Sequence, residues 1–202
     1  MPLHEQVASI GAKTVLLSGD LSQETAVKNL FSAAINHFGK VDTVVINAGV
    51  MQMAPINSDS IAAFDTMMKI NTRSPFLMMA EAGSVLQKGG AIIALSTSVI
   101  AKSLPGYGPY IASKLAVEGL VKVMANELRG RDITVNAVAP GPTATDLFMD
   151  GKSAQQVEAL AAMSPLERLG TPADISEAVA FLASEKGHWV NGQVLRVNGG
   201  FA

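Results

Sequence analysis

The chain has 202 residues with a formal net charge of −2; 49% of it is hydrophobic and only 16% charged. So much apolar side chain excludes a disordered polymer, and the length fits one domain spanning residues 1–202. The absence of cysteine excludes disulfides, thiolate catalysis and iron–sulfur clusters.

Lys and Arg are scattered singly, without a basic stripe, so no nucleic-acid partner is expected. No apolar run approaches the roughly 18 residues of a membrane span. "MPLHEQVASIG" has neither the basic start nor the apolar block of a signal peptide, so a cytoplasmic location is expected. His4, His37 and His188 have no ligand spacing, and no metal site is expected.

In chain order, strand-like and helix-like segments alternate, which predicts an α/β fold with a mostly parallel sheet. "TVLLSG" (14–19) reads as a strand. A helix follows in which Ala26, Val27, Leu30, Phe31, Ala34, Ile35 and Phe38 recur at helical spacing, with Gly39 as its left-handed stop. "DTVVIN" (42–47) is the next strand, and helical patterns cover 59–70 and 73–87. "AIIALS" (91–96) is a strand, 109–128 a long helix and "ITVNAVA" (133–139) another strand. Helices near 154–163 and 173–184 precede a last strand, "QVLRVN" (193–198). Continuous apolar strands are buried on both faces, and ligands of such sheets bind beyond the strands' carboxyl ends. Those ends carry "GDLS" (19–22), "NAGV" (47–50), "STS" (96–98) and "APGPTATD" (139–146).

The sharpest chemical signal is "PYIASK", in which Tyr110 and Lys114 stand four apart and share one helix face. A neighbouring ammonium favours the phenolate and is expected to pull the tyrosine pKa down from about 10, making Tyr110 a usable acid or base. "STS" lies 12 to 14 residues before Tyr110 at a strand end, where a hydroxyl would meet a carbonyl oxygen beside the phenol. Asn71 ends the helical segment "MMKIN" and is placed to hold a water near Lys114.

With "GDLS", "INAGV", "KIN", the "STS" strand end, "GYGPYIASK", "NAVAPGPTATD", "RLGTPADISEAVAFLAS" and "VNGQVLRVNGG" in this order, the sequence resembles the short-chain dehydrogenase/reductases from about Ala8 to its C-terminus. The resemblance implies a Rossmann-like, doubly wound parallel sheet and hydride transfer between NADP or NAD, NADP ahead, and a carbonyl or secondary alcohol. It implies that Tyr110 is the catalytic acid in reduction and the base in oxidation. Lys114 would lower the Tyr110 pKa and hydrogen-bond the nicotinamide ribose, and Asn71 would hold the proton-relay water. For the cofactor, Asp20 and Leu21 would meet the adenine, and Asn47, Ala48 and Gly49 would run beneath its ribose. Pro140, Gly141, Thr143 and Thr145 would fix the nicotinamide carboxamide.

Three positions or segments depart from the family pattern. The substrate-binding serine usually lies 13 residues before the tyrosine, where this chain has Thr97. Either Thr97 supplies the hydroxyl or the strand end shifts to present Ser98, and Ser98 is the first choice because a serine is usual. Ile46 replaces the first of two usual asparagines. The third departure is the largest: the family's opening strand, its T-G-x-x-x-G-x-G turn and its second strand have no counterpart in these 202 residues. That turn's amides hold the cofactor's pyrophosphate, so weak cofactor binding by this chain is expected. In the family order 3-2-1-4-5-6-7, loss of strands 1 and 2 is expected to leave 14–19 without a sheet neighbour and to expose an edge of "DTVVIN".

The helix 109–128 carries Ile111, Leu115, Val117, Leu120, Val121, Val123, Met124 and Leu128 on more than one face, which predicts a homodimer or homotetramer contact. The segment 146–163 resembles the family's substrate lid; its Leu147, Phe148 and Met149, with Met51, Met53 and Tyr107 nearby, predict a small hydrophobic carbonyl or alcohol substrate. Two readings follow: an NAD(P)-dependent oxidoreductase, or a non-catalytic remnant that serves only as an oligomerisation or binding module.

Overall fold

The computed structural model describes residues 3–202; Met1, Pro2 and the side chains of Leu3 and His4 lie outside it. The sheet has four parallel strands, β1 (Thr43–Ile46), β2 (Ala91–Leu95), β3 (Thr134–Pro140) and β4 (Val194–Val197), in that spatial order. Eight α-helices are described, α1 (Leu3–Ser9), α2 (Glu24–Phe38), α3 (Ile61–Met68), α4 (Ser74–Val85), α5 (Gly108–Glu127), α6 (Asp146–Met149), α7 (Ala154–Ala162) and α8 (Pro172–Ala183). Parallel neighbours need helical crossovers, which bring helices onto both faces.

The strand alternation divides the core in two. Ile92 and Ala94 of β2 pack with Val27 and Phe31 of α2, Met78, Met79 and Ala82 of α4, and Val117 and Val121 of α5. Ala91 and Ile93, pointing the other way, pack with Val138 and with Leu182 of α8. These two layers hold β2 and β3 rigidly, so whatever stands at their carboxyl ends is placed by the best-packed part of the molecule.

Local signals act where expected. Gly39 takes φ 86° and its N–H donates to Ile35 O, ending α2. Thr171 and Asp174 cap the start of α8 reciprocally, with Pro172 in its first turn.

Residues 14–19 do not form a strand, contrary to the reading of their β-branched run. Propensity supplies only a preference for extended backbone, and a strand exists through cross-strand bonds. Here the β1 edge is open, and Val15, Leu16 and Leu17 are exposed. The outer face of α5 likewise leaves Leu115 and Val123 exposed while Val117 and Val121 are fully buried.

Candidate active site

Five segments meet beyond the carboxyl ends of β1, β2 and β3. Tyr110 and Lys114 stand in the first turns of α5 and are 8% and 6% exposed. Lys114 Nζ donates to the carbonyl of Leu95, the last residue of β2, at 2.7 Å. The next residues, Ser96 and Thr97, run out of β2 into a short 3-10 turn at Ser98–Ala101. Thr97 Oγ1 accepts from Val99 N–H at 3.3 Å, and its side chain hydrogen-bonds Tyr110.

Asn71 is wholly buried in a π-helical turn, Lys69–Arg73, between α3 and α4. Such widened turns free one residue from the helical ladder and recur at functional sites. Asn71 Oδ1 accepts from Val50 N–H and its Nδ2 donates to Val50 O, both at 2.8 Å; Nδ2 also donates to Ser113 Oγ at 3.0 Å. Ser113 Oγ in turn donates to Tyr110 O. Gly49 completes this corner: a Cβ there would stand 3.2 Å from Asn71 Oδ1 and 3.4 Å from Lys114 Nζ. A side chain there would crowd Asn71 and touch the Lys114 ammonium.

The third wall follows β3. Gly141 N–H donates to Val197 O, and Thr143 Oγ1 donates to Gly141 O at 2.9 Å. Thr145 caps α6, its Oγ1 accepting from Phe148 N–H. Together these segments enclose a pocket of about 500 Å³. Asn47, Gly49, Thr97, Tyr110, Lys114, Pro140, Gly141, Thr143 and Thr145 line it. So do Met51, Val99, Leu104, Tyr107, Leu147, Phe148, Leu160, Ile175 and Val179, which make most of its surface apolar.

Several sequence candidates lie elsewhere. Asn71 stands behind Gly49 and Val50, and Ala48 is exposed and is not part of the pocket lining. Ser98 is buried, donating to Ala139 O at 2.7 Å and accepting from Asn198 Nδ2 at 2.9 Å, so Thr97 and not Ser98 reaches the pocket wall. Asp20 accepts from Ser22 N–H at 3.0 Å and pairs with Lys69 at 3.2 Å, which hold its carboxyl well below the usual range; Leu21 packs on the core. Met53 and Met149 are exposed and off the pocket.

The electrostatics also depart from expectation. Burial pushes the Tyr110 phenol up to about 12, with the Thr97 hydrogen bond pulling against it. Burial pushes Lys114 down to about 8. Burial, which disfavours the charged form of each group, governs both shifts, and Lys114 is not among the influences on the phenol. Ser113 and the π turn are absent from the sequence reading. A serine on the apolar face of α5, three residues after Tyr110, is the one signal that pointed to the first.

Among the described residues, no helix is long and apolar enough to cross a membrane, and no group of His, Cys, Asp and Glu stands together as a metal site. A family model described as enoyl-(acyl carrier protein) reductase matches residues 2–202. An NADPH-dependent aldehyde reductase-like protein, chloroplastic, of Arabidopsis thaliana is 41% identical over 205 residues, covering 99% of this chain and 76% of that one. A short-chain type dehydrogenase/reductase of Picea abies is 42% identical over 210 residues, covering 97% of this chain and 78% of its own. Among solved structures, a short-chain dehydrogenase of Burkholderia cenocepacia in complex with NADP superposes with a TM-score of 0.90 at 27% identity, covering 98% of this chain and 80% of that one. The chain belongs to the short-chain dehydrogenase/reductase family of NAD(P)-dependent oxidoreductases.

Proposed function

We propose that the protein reduces small, uncharged, apolar aldehydes or ketones with NADPH, with Tyr110 as the proton donor. The observation that carries this reading is a buried phenol, hydrogen-bonded to Thr97 and one turn from Lys114, facing an apolar pocket. With its pKa pushed up to about 12 by burial, Tyr110 holds its proton at neutral pH, the form that donation in reduction requires. Thr97 would share its hydroxyl between the phenol and the substrate oxygen, fixing the carbonyl where the proton is delivered.

The residues present fit the nicotinamide half of the cofactor. The Gly49 corner is kept open by the lack of a side chain, and Lys114, still largely an ammonium at pH 7, is the cation beside it. Lys114 would hold the nicotinamide ribose, and Pro140, Gly141, Thr143 and Thr145 the carboxamide. Asn47, Ala48 and Gly49 would lie under the adenine ribose, with Asp20 and Leu21 at the adenine. NADP rather than NAD is chosen because one relative is named NADPH-dependent and a solved neighbour holds NADP. When bound, the cofactor supplies the hydride to the carbonyl carbon. Asn71, its amide taken up by Val50 and Ser113, would serve the proton relay by holding the Gly49–Val50 loop against Lys114 rather than by holding a water with its own amide.

The exposed Leu115 and Val123 on α5 support a contact between copies of the chain, a homodimer or homotetramer. The alternative is a non-catalytic binding or oligomerisation module. Titration of the purified chain with NADPH, followed by cofactor fluorescence, and loss of NADPH absorbance on adding an apolar aldehyde separate the two. Weak binding with turnover supports the reductase, and binding without turnover supports the module.

A further inference from the structure

Residues Asn198–Ala202 are tied into the molecule through one side chain, Asn198. Asn198 Nδ2 donates to Ser98 Oγ at 2.9 Å and to Ala202 O at 2.7 Å, while its Oδ1 accepts from Gly200 N–H at 3.0 Å. Ser98 Oγ passes the connection on to Ala139 O at the end of β3. Gly199 and Gly200 take φ 60° and 85°; a Cβ on Gly199 would strike Ser164 Oγ at 2.6 Å and one on Gly200 would strike Pro165 at 2.9 Å. Ser164 Oγ donates to Gly199 O at 2.6 Å. This clasp turns Phe201 inward: its ring is 3% exposed, lines the pocket, and carries Lys102 Nζ 4.9 Å from its centroid.

We propose that Phe201 is a specificity-determining residue, the ring that closes one end of the substrate pocket, and that Asn198 is the positioning residue that keeps it there. The clasp also ties Ser98, next to Thr97, to the β3 loop that carries Gly141, so one side chain sets the spacing between the proton-donor wall and the opposite wall. The inference rests on the reading of this pocket as a carbonyl site, yet its test does not depend on turnover.

The experiment measures binding of benzaldehyde and of 2-naphthaldehyde to the whole chain by saturation-transfer NMR, for wild type, Phe201→Leu, Phe201→Ala and Asn198→Ala. Removing the ring frees space about the size of a second aromatic ring. Phe201→Ala is therefore expected to raise naphthaldehyde affinity relative to benzaldehyde by about tenfold, with Phe201→Leu between. Asn198→Ala is expected to move the ratio in the same direction although the ring is still present. A merely structural tail would lower the thermal midpoint and both affinities together, leaving the ratio unchanged in all three variants, and that result would overturn the proposal. Should Phe201→Ala not fold, Phe201→Leu alone decides it. NADPH oxidation by wild type with either aldehyde is read separately, so its absence counts against the reductase and leaves the ratio to judge Phe201.

Discussion

Asn71 and Val50 are joined by two hydrogen bonds, the amide nitrogen to the carbonyl and the amide oxygen from the N–H, each 2.8 Å. One side chain thereby does for the strand-end loop what a neighbouring strand would otherwise do, and it does so with no exposure to water. Replacing Asn71 by Ala strands a backbone donor and acceptor, which costs about 1–3 kcal/mol per buried group. The expected outcome is a clear fall in the urea midpoint; an unchanged midpoint would mean that these bonds do not form.

Thr97 and Ser98 are adjacent yet serve different partners. Thr97→Ala is expected to lower the rate of carbonyl reduction by about 10²–10³, as loss of one oxyanion donor does, while Thr97→Ser retains most of it. Ser98→Ala, which breaks the link from Asn198 to Ala139, is expected to lower stability more than rate. Steady-state kinetics beside thermal melts of the three variants separate the two roles, and equal rate losses for Thr97→Ala and Ser98→Ala would refute the division.

Lys114 makes a pH signature. Its pKa falls from 10.5 to about 8 on folding because of burial, so between these values the unfolded chain binds the proton that the folded chain has released. Stability therefore rises with pH across that window, by a few kcal/mol at ~1.4 kcal/mol per pH unit, and the penalty is fully present below about 8. Urea unfolding from neutral pH to about 9.5, compared with Lys114→Met, checks this; the stability of wild type relative to the variant should rise with pH. The range stays below 10, where Tyr110 begins to contribute with the opposite sign.

The exposed run at 14–19 and the open edge of β1 predict self-association. Leu16 is 72% exposed, and apolar residues and unpaired strand groups left uncovered are templates for another chain. Leu16→Lys is expected to reduce concentration-dependent light scattering without changing the thermal midpoint; scattering that persists unchanged would place the contact elsewhere.

How far the sequence reveals all this depends on range. The pairing of Tyr110 with Lys114 and the stop at Gly39 are local, set by helical spacing and one backbone conformation, and both were legible. The run at 14–19 misled because its strand character needs a partner that only the whole sheet supplies. The choice of Thr97 over Ser98 was hidden for a similar reason. It is decided by Asn198, 100 residues away, which claims the Ser98 hydroxyl. The π turn at Lys69–Arg73 leaves no trace in apolar periodicity, since one extra residue per turn barely shifts the pattern over five residues.

The central claim is that Tyr110 delivers the proton in an NADPH-dependent reduction of an apolar carbonyl. The measurement that meets it most directly is loss of NADPH absorbance with benzaldehyde, for wild type and for Tyr110→Phe, at the highest usable NADPH concentration and with melts and cofactor titrations run alongside. The account predicts that Tyr110→Phe folds and binds NADPH as wild type does while reduction is abolished. A Tyr110→Phe protein that still consumes NADPH at the wild-type rate would contradict it.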